Sequence, residues 1–143
     1  MSLYNTFETD KSLERDGIVL DYGFNSKNQP VQIRIARAGG ANTKFAKVLE
    51  QKMKPYKRAI ANDTMDNKVA EKLLVEAYAD AVILGWEGVE DREGSPLEYN
   101  RDNVVKVLTD LPDLFIDIQQ QSQKSALYRA ELREAEQGNS PRS

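Results

Sequence analysis

The sequence predicts an α+β domain, mostly helical, in which an N-terminal antiparallel β-hairpin packs on a bundle of about four helices. Three observations lead to this fold class. The stretch 18–36 contains β-branched residues and alternates apolar with polar positions, which is typical of strands. After residue 42, apolar residues recur at helical spacing. The chain has 143 residues, 40% of them hydrophobic and 30% charged, which suits one compact domain.

The N-terminal part of the chain consists of a polar segment and two strand-like runs. Residues 1–17 are polar and charged, and we expect an N-terminal arm there. The runs 18–22 and 31–36 follow, and the residues between them are common turn formers. Two such runs predict a hairpin over 18–36. A lone hairpin is marginal in water, so its apolar face should pack on a helix.

The first predicted helix covers about residues 42–60. Its apolar residues fall on one face, and the side-chain oxygen of Asn42 or Thr43 can cap its first turn. Pro55 interrupts this pattern, and a proline inside a helix removes a backbone hydrogen bond. We therefore expect a kink or an end near Pro55.

Three further helices complete the predicted bundle. The second helix, about 66–85, is apolar on more than one face, which is typical of a central helix, and Gly85 is a plausible stop. The others are expected at about 100–110 and 112–136. Residues 18–136 would thus form one domain, and 137–143 a flexible tail.

Composition excludes several classes of protein. Cysteine and histidine are both absent, so the chain has no disulfide, no Cys or His zinc site, no thiol nucleophile and no Ser-His-Asp triad. None of the 23 acidic residues lies in a recognisable catalytic frame. No apolar run approaches the roughly 18 residues that span a bilayer. We expect no enzymatic activity, no cofactor, no metal and no membrane partner, and a cytoplasmic location.

The segment 39–44, Gly-Gly-Ala-Asn-Thr-Lys, has some likeness to a phosphate-binding loop. Such a loop needs its glycines and lysine at fixed spacing so that backbone amides converge on the anion. The first glycine and the Gly-Lys pair are missing here. A plain turn between strand and helix is the better interpretation.

The formal net charge of −3 conceals a basic face in residues 41–58, where six basic side chains stand against one acidic. A solvated basic face is the usual outcome of such a pattern. An acidic protein partner is another interpretation. Basic residues beside Phe45 and Tyr56 also leave open a small accessory protein that binds nucleic acid. The residues of this basic face are Lys44, Lys47, Lys52, Lys54, Lys57 and Arg58.

Residues 86–118 are acidic, with nine acidic and three basic side chains. Asp91, Glu93 and Glu98 are candidate ligands for a hard cation, but the ligand pattern of the calcium hand is missing. A merely acidic loop is the better interpretation. Its charge is opposite to that of the basic face, which leaves open self-association of copies head to tail.

The last predicted helix begins with apolar residues and then becomes rich in Gln and Ser over 119–125. Such a helix does not pack along its whole length against its own domain. Either it protrudes into solvent, or a partner covers Tyr128 and Leu132.

Residues 44–139 carry an order of segments that is moderately specific, although no single motif in it is diagnostic. The segments are Lys-Pro-Tyr-Lys-Arg at 54–58, a helix at 69–84, Gly-Trp-Glu-Gly-Val at 85–89, an acidic turn with Gly94 and Pro96, the stretch 100–111, Pro-Asp-Leu-Phe-Ile at 112–116, and a polar helix ending near Asn139. In this order the chain resembles the tail assembly chaperones of long-tailed bacteriophages.

The resemblance implies a non-enzymatic protein of the host bacterial cytoplasm that is absent from the mature virion. Such chaperones bind the tape measure protein and keep it soluble while tail tube subunits assemble, so the tail tube protein is a further candidate partner. Holding a long helical protein requires exposed apolar surface. Phe115, Ile118, Tyr128 and Leu132 are the candidate partner-binding residues, although Phe115 and Ile118 fit an ordinary core equally well.

The resemblance also implies a second, longer product made by a programmed −1 ribosomal frameshift. Gln137, Gly138 and Asn139 can be encoded CAG GGA AAC, which contains a slippery run. The nucleotide sequence at these codons decides whether the longer form exists.

Overall fold

The structure, a computed structural model, describes residues 2–129. Most of this part is helical, and its three strands form one antiparallel sheet in the order β1-β2-β3. The predicted fold class, α+β and mostly helical, is confirmed. The helices are α1 (Leu3–Phe7), α2 (Lys11–Asp16), α3 (Thr43–Met53), α4 (Lys57–Ala61), α5 (Asn67–Ala81), α6 (Arg101–Asp110) and α7 (Pro112–Gln123), and the strands are β1 (Ile18–Phe24), β2 (Pro30–Ile35) and β3 (Ile83–Glu87).

The hairpin that the sequence predicts is formed by β1 and β2. Ile18 of β1 lies opposite Ile35 of β2. Leu20 lies opposite Ile33, which in turn faces Trp86 of β3. Because side chains alternate between the two faces of a strand, these apolar residues share the inner face of the sheet.

The third strand corrects the prediction of one helix over 66–85. Helix α5 ends at Ala81, and Gly85, expected as a helix stop, lies within β3 opposite Arg34. Two β-branched residues, Val82 and Ile83, follow α5, and both are buried. Pairing with β2 buries Ile83 in an extended backbone, and this tertiary contact outweighs the helical periodicity of the sequence.

The core lies between the inner face of the sheet and helices α5, α6 and α7. Tyr78 of α5 is a core residue whose ring makes T-shaped contacts with the rings of Phe45 and Phe115, at centroid distances of 5.0 and 5.2 Å. The central position predicted for this helix is thereby observed. The buried members of the core are Ile33, Ile35, Val75, Tyr78, Ala79, Val82, Ile83, Val104, Leu108, Phe115 and Ile118.

The predicted N-terminal arm consists of two short helices, α1 and α2, of which α2 is held by Glu14. The side chain of Glu14 is only 2% exposed. Its carboxylate pairs with Arg37 at 3.1 Å and accepts hydrogen bonds from the Ala41 amide at 2.7 Å and from the Thr9 hydroxyl. The arm is therefore attached to the turn that leads into α3.

The last helix is shorter than the predicted 112–136. Helix α7 ends at Gln123, where Lys124 adopts an extended backbone, and a 3-10 turn follows at Ser125–Tyr128. The Tyr128 carbonyl accepts a hydrogen bond from the Asp10 amide at 2.6 Å, so the chain turns back onto the N-terminal arm. The rest of the predicted helix and the predicted tail 137–143 lie outside the described residues.

Candidate partner-binding surface

The helical segment 43–61 lies on the outside of the fold and contains no buried residue. It is anchored at its start, where Phe45 packs against Tyr78. Further along, Met53 is partly exposed, and Ile60 keeps 45% of its surface exposed. Amphipathic helices usually bury their apolar stripe against the core. Here part of the stripe remains open to a partner.

The start of this segment is fixed by Asn42 in a way that the sequence did not predict. Asn42 occupies the N-cap position of α3, but its side chain makes no capping hydrogen bond. Its amide donates instead to the carbonyls of Arg37 and Ala81, at 2.9 and 3.0 Å. The buried Asn42 thus connects α3 to the end of α5.

The break predicted at Pro55 is confirmed. A 3-10 turn at Lys54–Tyr56 separates α3 from α4, and Pro55 lies in its first turn. Proline has no backbone N–H to continue the helical ladder, so the α-helix does not run through this point. Helix α4 then makes its main contacts with this 3-10 turn.

Residues on both sides of this break line a groove on the outside of α3 and α4, which we call the basic groove. Its volume is about 530 Å³, within the roughly 300–1,000 Å³ range of small binding clefts. Residues of both helices line it, and we call its apolar lining residues the floor and its charged lining residues the rim. The floor residues are Met53 and Ile60, and the charged rim residues are Lys47, Glu50, Lys54 and Lys57.

The predicted basic face is present except for one member. Lys52 points toward α5, where it pairs with Glu76 at 3.4 Å and with Asp80 at 3.1 Å. Arg101 of α6 pairs with the same two carboxylates. The other five basic residues are exposed, and within residues 2–129 they form no ion pair; they are Lys44, Lys47, Lys54, Lys57 and Arg58.

The ion pairs of Lys52 fix the inner side of α3. Burial raises the pKa of Asp80, but hydrogen bonds and charge from Arg101 and Lys52 outweigh it, and the pKa of Asp80 is lowered. The carboxylate therefore stays ionised at neutral pH and joins α3, α5 and α6. Lys52 on the inner side of α3 thus has its ion-pair partners within the molecule, whereas the outer side of α3 is exposed.

The aromatic residues of the basic face do not form a stacking platform. Phe45 is half-buried against Tyr78, while Tyr56 is 37% exposed. Single-stranded nucleic acid binds where successive bases stack on several aromatic rings. In the segment 43–61 only Tyr56 is open to such stacking.

Three of the four candidate partner-binding residues are buried, namely Phe115 and Ile118 of α7 and Tyr128 of the 3-10 turn that follows it. Phe115 is 8% exposed, and Ile118 and Tyr128 are fully buried. Phe115 and Ile118 belong to the core, which was their alternative interpretation. Leu132 lies outside the described residues. A role of these four residues in binding stays a prediction.

The acidic loop uses its carboxylates for local structure. Asp91 accepts hydrogen bonds from the amides of Glu93 and Ser95, both at 2.9 Å. Glu90 accepts from the amide and the hydroxyl of Ser26. Within residues 2–129, no three acidic side chains converge as metal ligands do. Asp91 thus stabilises the turn, and Glu90 stabilises its contact with the hairpin.

The glycine turn before α3 binds a carboxylate of the same chain, that of Glu14. The Ala41 amide donates to the Glu14 carboxylate, and a side chain at Gly40 would collide with that carboxylate. Gly40 also has a φ of +55°. The segment 39–44 is therefore the strand-to-helix turn that the sequence favours, and the carboxylate of Glu14 packs against it. Nothing in the spacing of Glu14 indicated this contact in advance.

Residues 40–139 of the chain match the family described as YdaY prophage protein. The match covers more than half of the chain and includes the whole basic groove. The chain therefore belongs to this family and is a phage-derived protein. Comparisons with curated proteins and with solved structures found no match. In residues 2–129 no helix is both long enough and apolar enough to cross a membrane.

Proposed function

We propose that this prophage protein is a non-enzymatic tail assembly chaperone that binds the tape measure protein. One observation carries the proposal: the helical segment 43–61 buries none of its residues and leaves an apolar floor open in the basic groove. Neighbouring apolar side chains in a groove are the anchors that a partner helix uses when it binds. The phage origin of the family and the resemblance in residues 44–139 support the same function.

The small size of the basic groove suits a chaperone that binds its partner transiently. A helix that lies in a shallow groove contributes a few apolar anchors and several exposed charge pairs, and each exposed pair adds little free energy. The resulting complex is expected to dissociate readily. Readily reversible binding is what a chaperone needs when tail tube subunits replace it during assembly. The protein would act in the bacterial cytoplasm and remain absent from the finished virion.

Co-expression with the tape measure protein of the same prophage tests this function. The chain should increase the soluble fraction of the tape measure protein and co-purify with it. Ile60→Asp should reduce co-purification by about tenfold, because it places a charge in the apolar floor. The matched control is Val19→Asp, since Val19 is also 45% exposed but lies on the sheet opposite Arg34.

Two results would contradict the proposed function. One is a tape measure protein whose solubility is the same with and without this chain. The other is a tape measure protein that does not co-purify with the folded chain. Equal loss of binding in both variants, with far-UV circular dichroism and melting temperature unchanged, would contradict the basic groove as the binding site.

Nucleic-acid binding is the second candidate, and the five exposed basic residues favour it. Its electrostatic signature is a steep loss of affinity as salt rises. Titration of a labelled oligo(dT) at two salt concentrations separates the candidates. Tight binding that disappears with salt and with Lys54→Glu/Lys57→Glu would favour the nucleic-acid function.

A further inference from the structure

We infer that the basic groove binds one acidic, amphipathic α-helix of the partner, with an apolar ridge on the floor and carboxylates at the rim. The identity of that partner rests on the proposed function, whereas the chemistry of the groove does not. The floor, the charges of the rim and the length of the groove all fit such a helix.

The floor requires an apolar ridge. Met53 closes α3 and Ile60 belongs to α4, so both helices contribute to one apolar strip. Helices that lie in grooves present residues at positions i, i+3 or i+4, and i+7. From Lys47 of α3 to Lys54, the residue that follows this helix, the lining extends over about 10 Å, taking the helical rise per residue. An i to i+7 ridge has about the same length.

The rim selects for negative charge. Lys47, Lys54 and Lys57 line the groove, against the single carboxylate of Glu50. None of these three lysines forms an ion pair within residues 2–129. A basic helix would meet like charge there, which lowers both association rate and affinity. An acidic helix would supply the missing partners.

Two other occupants fit less well. A nucleic-acid backbone would place phosphates over the apolar floor and beside Glu50, and both contacts are unfavourable. A second copy would have to offer an acidic helix with an apolar ridge. Helix α6 carries acidic residues, but its apolar residues Val104, Val107 and Leu108 are buried.

Fluorescence anisotropy with a designed probe tests the inference. The probe is a fluorescein-labelled peptide of about 20 residues, long enough to form a helix, with Leu along one face and Glu beside it. A control peptide carries Lys in place of every Glu. The full-length chain should bind the Glu probe at least about tenfold more tightly than the Lys probe.

Matched variants locate the site. Lys54→Glu/Lys57→Glu should weaken the Glu probe by about tenfold and strengthen the Lys probe. Lys11→Glu/Lys68→Glu makes the same change in net charge at exposed lysines outside the groove, and should leave both affinities within about twofold. Melting temperatures verify that all variants are folded.

Several results would overturn the inference: equal affinity for both probes, equal effects of the two double variants, or concentration-dependent self-association that Lys54→Glu/Lys57→Glu abolishes. The last result would make a second copy the occupant. If the tape measure protein co-purifies while the Glu probe fails to bind, the inference fails and the proposed function stands. If the probe binds as expected without any binding of the tape measure protein, the proposed function fails instead.

Discussion

At the scale of single residues, buried polar side chains fix how the segments join. Glu14 attaches the N-terminal arm to the glycine turn, and Asn42 attaches α3 to the end of α5. Tyr22 of β1 donates a hydrogen bond to Asp117 of α7 at 2.6 Å. Burial, together with this bond to Asp117, raises the pKa of Tyr22 well above its usual range. Each contact joins residues far apart in sequence, so local patterns do not reveal it.

Glu14 should make stability depend on pH. Burial raises the pKa of this carboxyl, but the hydrogen bonds from Thr9 and Ala41 and the charge of Arg37 outweigh it, so the pKa lies below its ordinary value of 4.5. A lowered pKa stabilises the fold above the pKa of the unfolded chain, and this contribution is lost as pH falls through the folded value.

Glu14→Gln should therefore lower the free energy of unfolding by about 2 kcal/mol at pH 7, because Arg37 loses its partner. The difference from the unsubstituted chain should shrink as pH falls below about 4.5. Urea denaturation at several pH values measures this difference in the free energy of unfolding. Glu8→Gln, at an exposed position of the same arm, is the control and should change little. A difference that stays constant with pH would disprove the role of the charge.

At the scale of elements, the sequence predicted the helices and strands that depend on nearby residues, and missed those that depend on distant contacts. The hairpin, the central helix α5 and the break at Pro55 all follow from alternation, helical spacing and proline geometry. Strand β3 did not follow, because its pairing with β2 joins residues about 50 positions apart and overrides the helical pattern. The end of α7 was missed for a similar reason, since Tyr128 is held by the distant Asp10.

The break at Pro55 should matter for binding even though its side chain is not among the residues that line the groove. In Pro55→Ala the helical ladder is free to continue from α3 into α4, and the concave surface between them should flatten. All lining side chains are retained. We expect equal or higher helicity by circular dichroism and roughly tenfold weaker binding of the Glu probe. Unchanged affinity would show that the break does not shape the site.

At the scale of the whole molecule, some charged side chains pair with each other within the fold, and others stay exposed on the basic face. The net charge is only −3. Lys52 and Arg101 neutralise carboxylates between helices, and Glu90 and Asp91 stabilise turns. The sequence predicted the basic face, but it did not reveal that Lys52 turns inward, and it left open whether Phe115 and Ile118 lie in the core or bind a partner. Those outcomes depend on which helix faces pack together, which one sequence does not determine.

Hydrogen–deuterium exchange on the complex with the tape measure protein shows whether that protein occupies the basic groove. Binding in the basic groove should slow amide exchange in 43–61 by about tenfold or more, while the sheet remains unchanged. Slower exchange in α7 and the 3-10 turn Ser125–Tyr128, with 43–61 unaffected, would contradict the claim and point to the buried residues Phe115, Ile118 and Tyr128 instead.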